Sequence, residues 1–414
     1  MTPGMIFENI LDIVQLILFF AGCYYLVVAF FSLTVTHKER VSDKKHTFAI
    51  VVAAHNEETV IGQLVKSLKE LEYPEEKYDI FVVADNCTDR TADMAKAAGA
   101  EVMRRENLTK RGKGYALEFA FERIFAMPKD YEYICVFDAD NIVNGDFLIH
   151  MNNKINEGYS AVQGYLDSKN PCDSWLTFSY SLWYWINNRI AQLSRDNLNF
   201  GCRLGGTGFA VAVDLIKTYG WGATCLAEDT EFTLKLALND IKVGWCHEAV
   251  VYDEKPLRLE TSINQRRRWV QGIADVASRY IEPLAKKGVK EKKAFPFHMI
   301  MNFWSDSLYS FVFIFFAVVY AMILFGDKTS LLYSLLCGMW TQPLNILMLT
   351  VFVWGNIIVV FAGLYNDRKL DANIVRNSLG FAVYIITWIP IGIMGILKKN
   401  DKEWFHTPHS PKDN

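Results

Sequence analysis

The apolar residues of this chain are gathered at its two ends, and the stretch between them reads as a soluble domain. The first block runs from Met5 to Val35. A bilayer core takes about 20 apolar residues as a helix, so this block can cross once with some tilt. It lacks the basic start and small-residue cleavage pattern of a signal peptide. Lys38, Arg40, Lys44 and Lys45 follow it. Basic flanks favour the cytosolic side, so the soluble domain is expected in the cytosol and the N-terminus outside. Three further blocks cover Phe303–Phe325, Asn345–Tyr365 and Leu379–Leu397, while Leu331–Trp340 is too short to span alone. Lys398, Lys399, Lys402 and Lys412 favour a cytosolic end, and so do Arg368, Lys369 and Arg376 ahead of the last block. One simple span cannot separate two cytosolic flanks. Either Leu379–Leu397 is re-entrant or broken around Pro390, or the spans are miscounted elsewhere.

The net charge of −3 leaves no footprint for nucleic acid. The eight cysteines are scattered with no zinc spacing, which suits reduced packing residues. From Thr47 the middle alternates strands with helices. Runs such as Phe48–Ala53, Ile80–Ala84, Ala100–Met103 and Tyr133–Phe137 are short and continuous, as in buried parallel strands. Helical spacing or composition marks Glu58–Leu71, Thr91–Ala98 and Tyr115–Phe125 between and after them. This rhythm predicts an α/β domain with an open, mostly parallel sheet covered by helices on both faces. Ligands in such sheets bind at the carboxyl ends of the strands.

Acidic and polar residues stand at those ends. His55-Asn56-Glu57-Glu58 follows the first strand, Asp85-Asn86 the second, and Asp138-Ala139-Asp140 the fourth. Converging carboxylates repel unless a cation joins them. Mg2+ or Mn2+ with a bound diphosphate answers that need, because hard cations take carboxylate and phosphate oxygens. No G-x-G-x-x-G or Walker loop is present, so neither a dinucleotide site nor a P-loop is supported. Arg111-Gly112-Lys113-Gly114 opens a helix, where backbone and Lys113 can meet a phosphate.

These motifs resemble the membrane-bound, inverting family 2 glycosyltransferases, which include cellulose, chitin, hyaluronan and poly-N-acetylglucosamine synthases. The resemblance runs from Ala49 to about His409. It implies a GT-A-like nucleotide-sugar-binding domain flanked by transmembrane helices, working on a UDP-sugar donor with a divalent metal. Ala84-Asp85-Asn86 resembles the motif that contacts the nucleoside, and Asn56, Glu57 and Lys113 join it as donor-binding candidates. Asp138 and Asp140 resemble the D-x-D pair, with Asp140 on the metal and Asp138 on nucleotide or metal. Gly206-Thr207-Gly208 resembles the loop beneath the acceptor. Ala227-Glu228-Asp229 stands where the family has T-E-D; the replaced threonine leaves both acids intact, and Asp229 is the expected catalytic base. Gln265-Arg266-Arg267-Arg268-Trp269 fits the Q-(Q/R)-x-R-W signature of processive members. Arg266 and Arg268 are expected at the diphosphate, Gln265 and Trp269 at the acceptor.

The expected division is a transmembrane helix at 1–36, a cytosolic domain at 47–270, membrane-interface helices at 271–300, C-terminal spans at 301–398 and a cytosolic tail at 399–414. Trp175–Leu193 reads either as a second surface helix or as a core helix, and Trp404–His409 resembles the family's end. The expected activity is growth of a β-linked polysaccharide from UDP-glucose or UDP-N-acetylglucosamine at the plasma membrane. Expected partners are the donor, a polysaccharide or oligosaccharide acceptor, the lipid bilayer, and a further copy or accessory subunit, since the membrane part is small. The alternative is a single transfer to a lipid-linked acceptor. A transporter would carry ionisable groups within its spans, and the C-terminal blocks hold few beyond Asp306. A silent scaffold would not need every acidic motif.

Overall fold

The structure, a computed structural model, describes residues 3–33, 41–222, 225–305, 308 and 310–399. Lys38, Arg40, Asp306, Lys402, Lys412 and Trp404–His409 lie outside the described residues. Helix α1 (Pro3–Phe30) leads to β1 (Phe48–Ala54), α2 (Ile61–Lys69), β2 (Tyr78–Asp85), α3 (Thr91–Ala97), β3 (Glu101–Arg105), α4 (Lys113–Phe125) and β4 (Tyr133–Asp138). Then come β5 (Ile142–Val143), α5 (Phe147–Asn156), β6 (Ala161–Ser168), α6 (Trp175–Ile186) and a π-helical turn at Asn187–Leu193. The domain continues through α7 (Ser194–Asn197), β7 (Phe209–Ala212), α8 (Val213–Tyr219), α9 (Glu228–Leu238) and β8 (Gly244–Asp253).

The strands form one sheet in the order β3-β2-β1-β4-β7-β6-β8-β5. The half from β3 to β4 is parallel, as the sequence rhythm predicts, and β7 and β5 run antiparallel to their neighbours. Alternation along β1 explains its continuous apolar run. Phe48, Ile50 and Val52 pack with α2 and α5 on one face, and Ala49 and Val51 pack with α4 on the other. Register aligns the strand ends. Ala54 pairs with Ala84, and Ala53 with Asp138, so Asp85 and Asp138 leave the sheet at one edge.

The C-terminal part holds α10 (Leu259–Glu291), α11 (Phe295–Trp304), α12 (Ser310–Phe325), α13 (Leu331–Cys337), α14 (Pro343–Asn366) and α15 (Ala372–Leu397). Ile6–Phe30, Pro343–Asn366 and Leu379–Leu397 are long and apolar enough to cross a membrane, while Ser310–Phe325 is shorter. Phe19 of α1, Phe316 of α12 and Phe352 of α14 meet in one apolar cluster. A Cβ at Gly22 would lie 2.8 Å from Phe352 and Val312, so glycine lets these three helices approach.

Of the alternatives open for the last block, a break at Pro390 is not seen. Helix α15 runs unbroken through Pro390 and lies against α6 and α10 along its length. A Cβ at Gly380 would be 3.1 Å from the Trp175 ring, and the Tyr384 and Tyr180 rings are 5.0 Å apart. At the far end Gly395 abuts Val270, and Gln271 Nε2 donates to Lys398 O at 3.0 Å. Both ends of α15 therefore touch helices that belong to, or continue from, the soluble domain. The preceding turn is tied down as well. Arg189 donates to Asp367, and Lys369 Nζ donates to Asp167 Oδ2 at 2.7 Å. Helix α6 is buried between the sheet and α15. Phe178, Leu182 and Trp185 face the sheet while Leu176 and Tyr180 face Tyr384, so α6 packs as a core helix between the sheet and α15.

Arg266 staples α15 in place. It is fully buried, Nη1 donates to Thr387 Oγ1 at 2.8 Å, and its guanidinium lies 4.5 Å from the Tyr384 ring centre and 5.3 Å from that of Trp388. Cation–π contacts strengthen when water is excluded. Replacing Arg266 with Ala is expected to cost about 2–4 kcal/mol through the emptied volume and lost contacts. A drop of several degrees in Tm in detergent would register it, and an unchanged Tm would show that the staple is not needed.

Candidate active site

A cleft of about 890 Å³ opens at the carboxyl edge of the sheet and extends between the C-terminal helices. Its polar half gathers Glu57, Asp85, Lys113, Asp138, Asp140, Gly206, Thr207, Glu228, Asp229 and Arg268, with Gln265 and Trp269 beyond them. Residues distant in sequence thus meet because three strands end at one edge and α4, α9 and α10 present their starts or flanks to it.

Asp85 is buried, and Arg105 Nη1 donates to its Oδ1 at 2.5 Å. Lys113, first residue of α4, donates to Asp138 Oδ1 at 2.5 Å and to Gly206 O at 2.7 Å. Burial opposes the Lys113 charge, but Asp138, Glu228 and Asp229 outweigh it and hold its pKa above the ordinary value. Asp140 is held by the Glu254 N–H, 3.2 Å from Oδ2, and by Asn141 Nδ2, 3.2 Å from Oδ1. Glu228 and Asp229 open α9, where the helix N-terminus tolerates negative charge. Burial pushes Glu228 up to about 7, with the neighbouring Asp229 charge adding to it. Burial raises Asp229 as well, against the pull of the Thr230 N–H that donates to Oδ1 at 2.7 Å.

The loop 205–208 passes under Asp229. A Cβ at Gly206, where φ is +84°, would approach Asp229 Oδ2 to 3.4 Å, so glycine there keeps the carboxylate accessible. Gln163 is fully buried and fixes this loop, accepting from Gly205 N at 2.8 Å and donating to Thr207 O at 2.9 Å.

Three expected site residues are placed elsewhere. Asn56 is not on the cleft wall; its left-handed backbone and side-chain oxygen, which accepts from Thr88 N at 2.8 Å, shape the loop after β1. Gly208 packs against Val251 behind the loop. Arg266 points into the aromatic cage of α15, so Arg268 alone of that pair reaches the cleft. The sequence reading missed Arg203, Asp253 and Lys255, all of which line it. Asp253 ends β8 and contacts Lys255 Nζ at 2.5 Å. Burial raises Asp253 to about 6, against the Lys255 charge. The strand-end rule that found Asp85 and Asp138 would have found Asp253 too.

Among the described residues, no group of three or more His, Cys, Asp or Glu side chains forms a metal cage. Asp138 and Asp140 nonetheless fit a cation that arrives with a diphosphate, because Mg2+ is commonly bound by one or two carboxylates plus phosphate oxygens and water.

Known proteins are similar to this chain in fold or in sequence. A mannosyltransferase from Pyrobaculum calidifontis, solved with GDP-Man and Mn2+, superposes with a TM-score of 0.55 at 17% identity, covering 86% of this chain and 99% of that one. The probable glycosyltransferase YdaM of Bacillus subtilis is 23% identical over 87% of this chain and 86% of its own length. A beta-monoglucosyldiacylglycerol synthase of a Nostoc species is 29% identical over 61% of this chain, which spans only 54% of that protein. The pattern described as "Glycosyltransferase like family 2" matches residues 46–272, more than half of the chain, and the chain belongs to that family.

Proposed function

We propose that the protein transfers a hexosyl or N-acetylhexosaminyl unit from a UDP-sugar, with inversion, to a hydroxyl of an acceptor held at the inner membrane face. The observation that carries this is the meeting of Asp85, Asp138, Asp140 and Asp229 in one cleft with Lys113 and Arg268. Asp85 holds the nucleoside. Asp138 and Asp140 would hold Mg2+ or Mn2+, which when bound would supply positive charge beside the diphosphate. Lys113 and Arg268 add fixed positive charge at the same place. Asp229 takes the proton from the acceptor hydroxyl as its oxygen attacks the anomeric carbon. Glu228 stands beside it, and Trp269 offers a flat face to the acceptor sugar.

Repeated transfer into a β-linked chain is the favoured outcome, supported by Gln265 and Trp269 on the cleft wall. A single transfer to a lipid is the second reading, and the apolar far half of the cleft favours it. In this reading α1, the α11–α12 pair and α14 cross the bilayer, and α15 lies in its inner face. That arrangement places Arg368, Lys369, Lys398 and Lys399 all on the cytosolic side and removes the conflict in span parity. The test is incubation with UDP-glucose or UDP-N-acetylglucosamine and Mn2+, with UDP release, anomeric configuration and product length measured. Absence of UDP release from every donor would overturn the reading.

The pH dependence is a sharper check. The Glu228 and Asp229 carboxylates are raised by burial and pulled back by Lys113. The acid limb of the rate is therefore expected above the ordinary carboxylate range. Lys113→Met removes the pull, so the limb moves to higher pH; a shift to lower pH would contradict the assigned electrostatics.

A further inference from the structure

The far half of the cleft is mostly apolar, but it holds two buried polar atoms that are left over. Asn302 of α11 is 1% exposed and lines the cleft. Its Nδ2 donates to Gly201 O at 3.4 Å, and its Oδ1 has no hydrogen-bond partner among the described residues. Trp388 of α15 lines the cleft as well, and its buried Nε1 also lacks a partner among them. A buried carbonyl oxygen or N–H loses its hydration and gains nothing unless a partner arrives. In a cleft, such atoms point to a ligand that supplies the missing bonds.

Two residues after Gly201, Arg203 is fixed on the cleft wall by the π-helical turn Asn187–Leu193. Residues five apart lie one above the other in such a turn, whereas in an α-helix they would be about 140° apart. Asn187 and Gln192 are so spaced, and both reach Arg203. Gln192 clamps its backbone, with Nε2 donating to Arg203 O at 2.8 Å and Oε1 accepting from Arg203 N at 3.2 Å. Asn187 Oδ1 accepts from Arg203 Nη2 at 3.2 Å. From Arg203 the chain leads to Gly206 beneath Asp229, a distance of at most about 10 Å and within the reach of a short glycan. Leu204 N donates to Thr233 Oγ1 at 3.1 Å, and Thr233 Oγ1 donates to Asp229 O at 2.8 Å. This wall and the helix that carries the base are therefore one hydrogen-bonded unit.

A ligand that completes these bonds has to donate to Asn302 Oδ1 and accept from Trp388 Nε1 and Arg203. An ionised phosphate only accepts, with or without a metal ion beside it, and an acyl chain does neither. A sugar hydroxyl does both. Resting on the transfer reading above, we propose that Asn302 and Arg203 form a subsite for the terminal sugars of a glycan acceptor. A sugar hydroxyl donates to Asn302 Oδ1, and sugar oxygens accept from the Arg203 guanidinium. The pair thereby sets a preference for a saccharide over a lipid hydroxyl.

The test uses the full chain in phosphatidylcholine nanodiscs with Mn2+ and labelled UDP-glucose or UDP-N-acetylglucosamine. The acceptors are β-linked tetrasaccharides of glucose or N-acetylglucosamine, with dioleoylglycerol for comparison. Asn302→Leu removes the oxygen and nearly keeps the volume. It is expected to raise KM for the tetrasaccharide at least about ten-fold, with a smaller change in kcat. Its Tm without substrate is expected to hold or rise, because an apolar group of similar shape replaces an unpaired polar one. Asn302→Asp keeps an oxygen acceptor in place and is expected to hold KM closer to the wild type. An unchanged KM in Asn302→Leu would overturn the proposal and leave Oδ1 to a bound water. A fall in Tm together with loss of both KM and kcat would overturn it too, since Asn302 would then only brace α11. Label carried by dioleoylglycerol alone would overturn the saccharide subsite and leave the transfer reading standing. No UDP release with any acceptor would sink that reading beneath it.

Discussion

Asp229→Asn is expected to lower the turnover rate about a thousand-fold, within the range that a positioned general base supplies. Asparagine has the same shape and its amide oxygen can keep the 2.7 Å bond from Thr230 N, so the start of α9 and the loop over Gly206 need not move. Only the proton acceptor is lost. UDP binding, assigned in the proposed function to Asp85, Asp140 and Arg268, is expected to stay near wild type in a thermal-shift titration. Stability carries an independent sign. Burial raises the Asp229 pKa, so its charged form is disfavoured in the folded protein relative to the unfolded chain. Stability then falls as pH rises through the unfolded value toward the folded one, and the deficit persists above it. Asparagine carries no such deficit, so at pH 8 the variant is expected to match or exceed the wild type in Tm. Loss of turnover together with a large loss of Tm would mean that Asp229 is structural. Retained turnover would move the base to Glu228, whose pKa near 7 also suits proton transfer.

The parts of the site visible in the sequence are those where one local pattern sets both structure and chemistry. Asp85 and Asp138 end strands whose unbroken apolar runs identify them, and parallel pairing carries both ends to one edge. The α9 acids are legible for a similar reason, since they open a helix. Orientation around a helix is another matter. Arg266 and Arg268 are two positions apart, about 200° around the axis, so both cannot face the same cleft. Their spacing does not say which one does. The answer comes from Tyr384 and Thr387, more than a hundred residues away, which enclose Arg266. Helix α15 was obscure for the same reason. Length and hydropathy describe a segment that could cross a membrane, while its contacts with Trp175, Tyr180 and Val270 depend on tertiary packing. Asn56 and Gly208 stand within true motifs but serve the backbone, a role that residue type alone does not separate from ligand binding.

Asp140→Asn is expected to cost about a hundred- to a thousand-fold in rate, in line with removal of one strong electrostatic contact at a developing charge. Its signature should differ from that of Asp229→Asn. The rate should become nearly flat in Mn2+ concentration, and the rise in Tm produced by UDP with Mn2+ should shrink, because this variant weakens donor binding as well as turnover. Asp138 is poorly placed to compensate, since Lys113 already occupies its Oδ1 at 2.5 Å. Asp253 is the other nearby carboxylate, and its pairing with Lys255 at 2.5 Å restrains it in the same way. In the absence of metal the substitution should help the fold. Burial first, and then the Asp140 charge with its neighbours, lifts Asp253 to about 6, so removing that charge lets Asp253 ionise more easily beside Lys255. A higher Tm without metal and a smaller Mn2+-dependent gain would together place Asp140 on the cation. Full Mn2+ stimulation in the variant would instead assign the cation to Asp138 and Asp253, with Asp140 left to brace the Glu254 backbone.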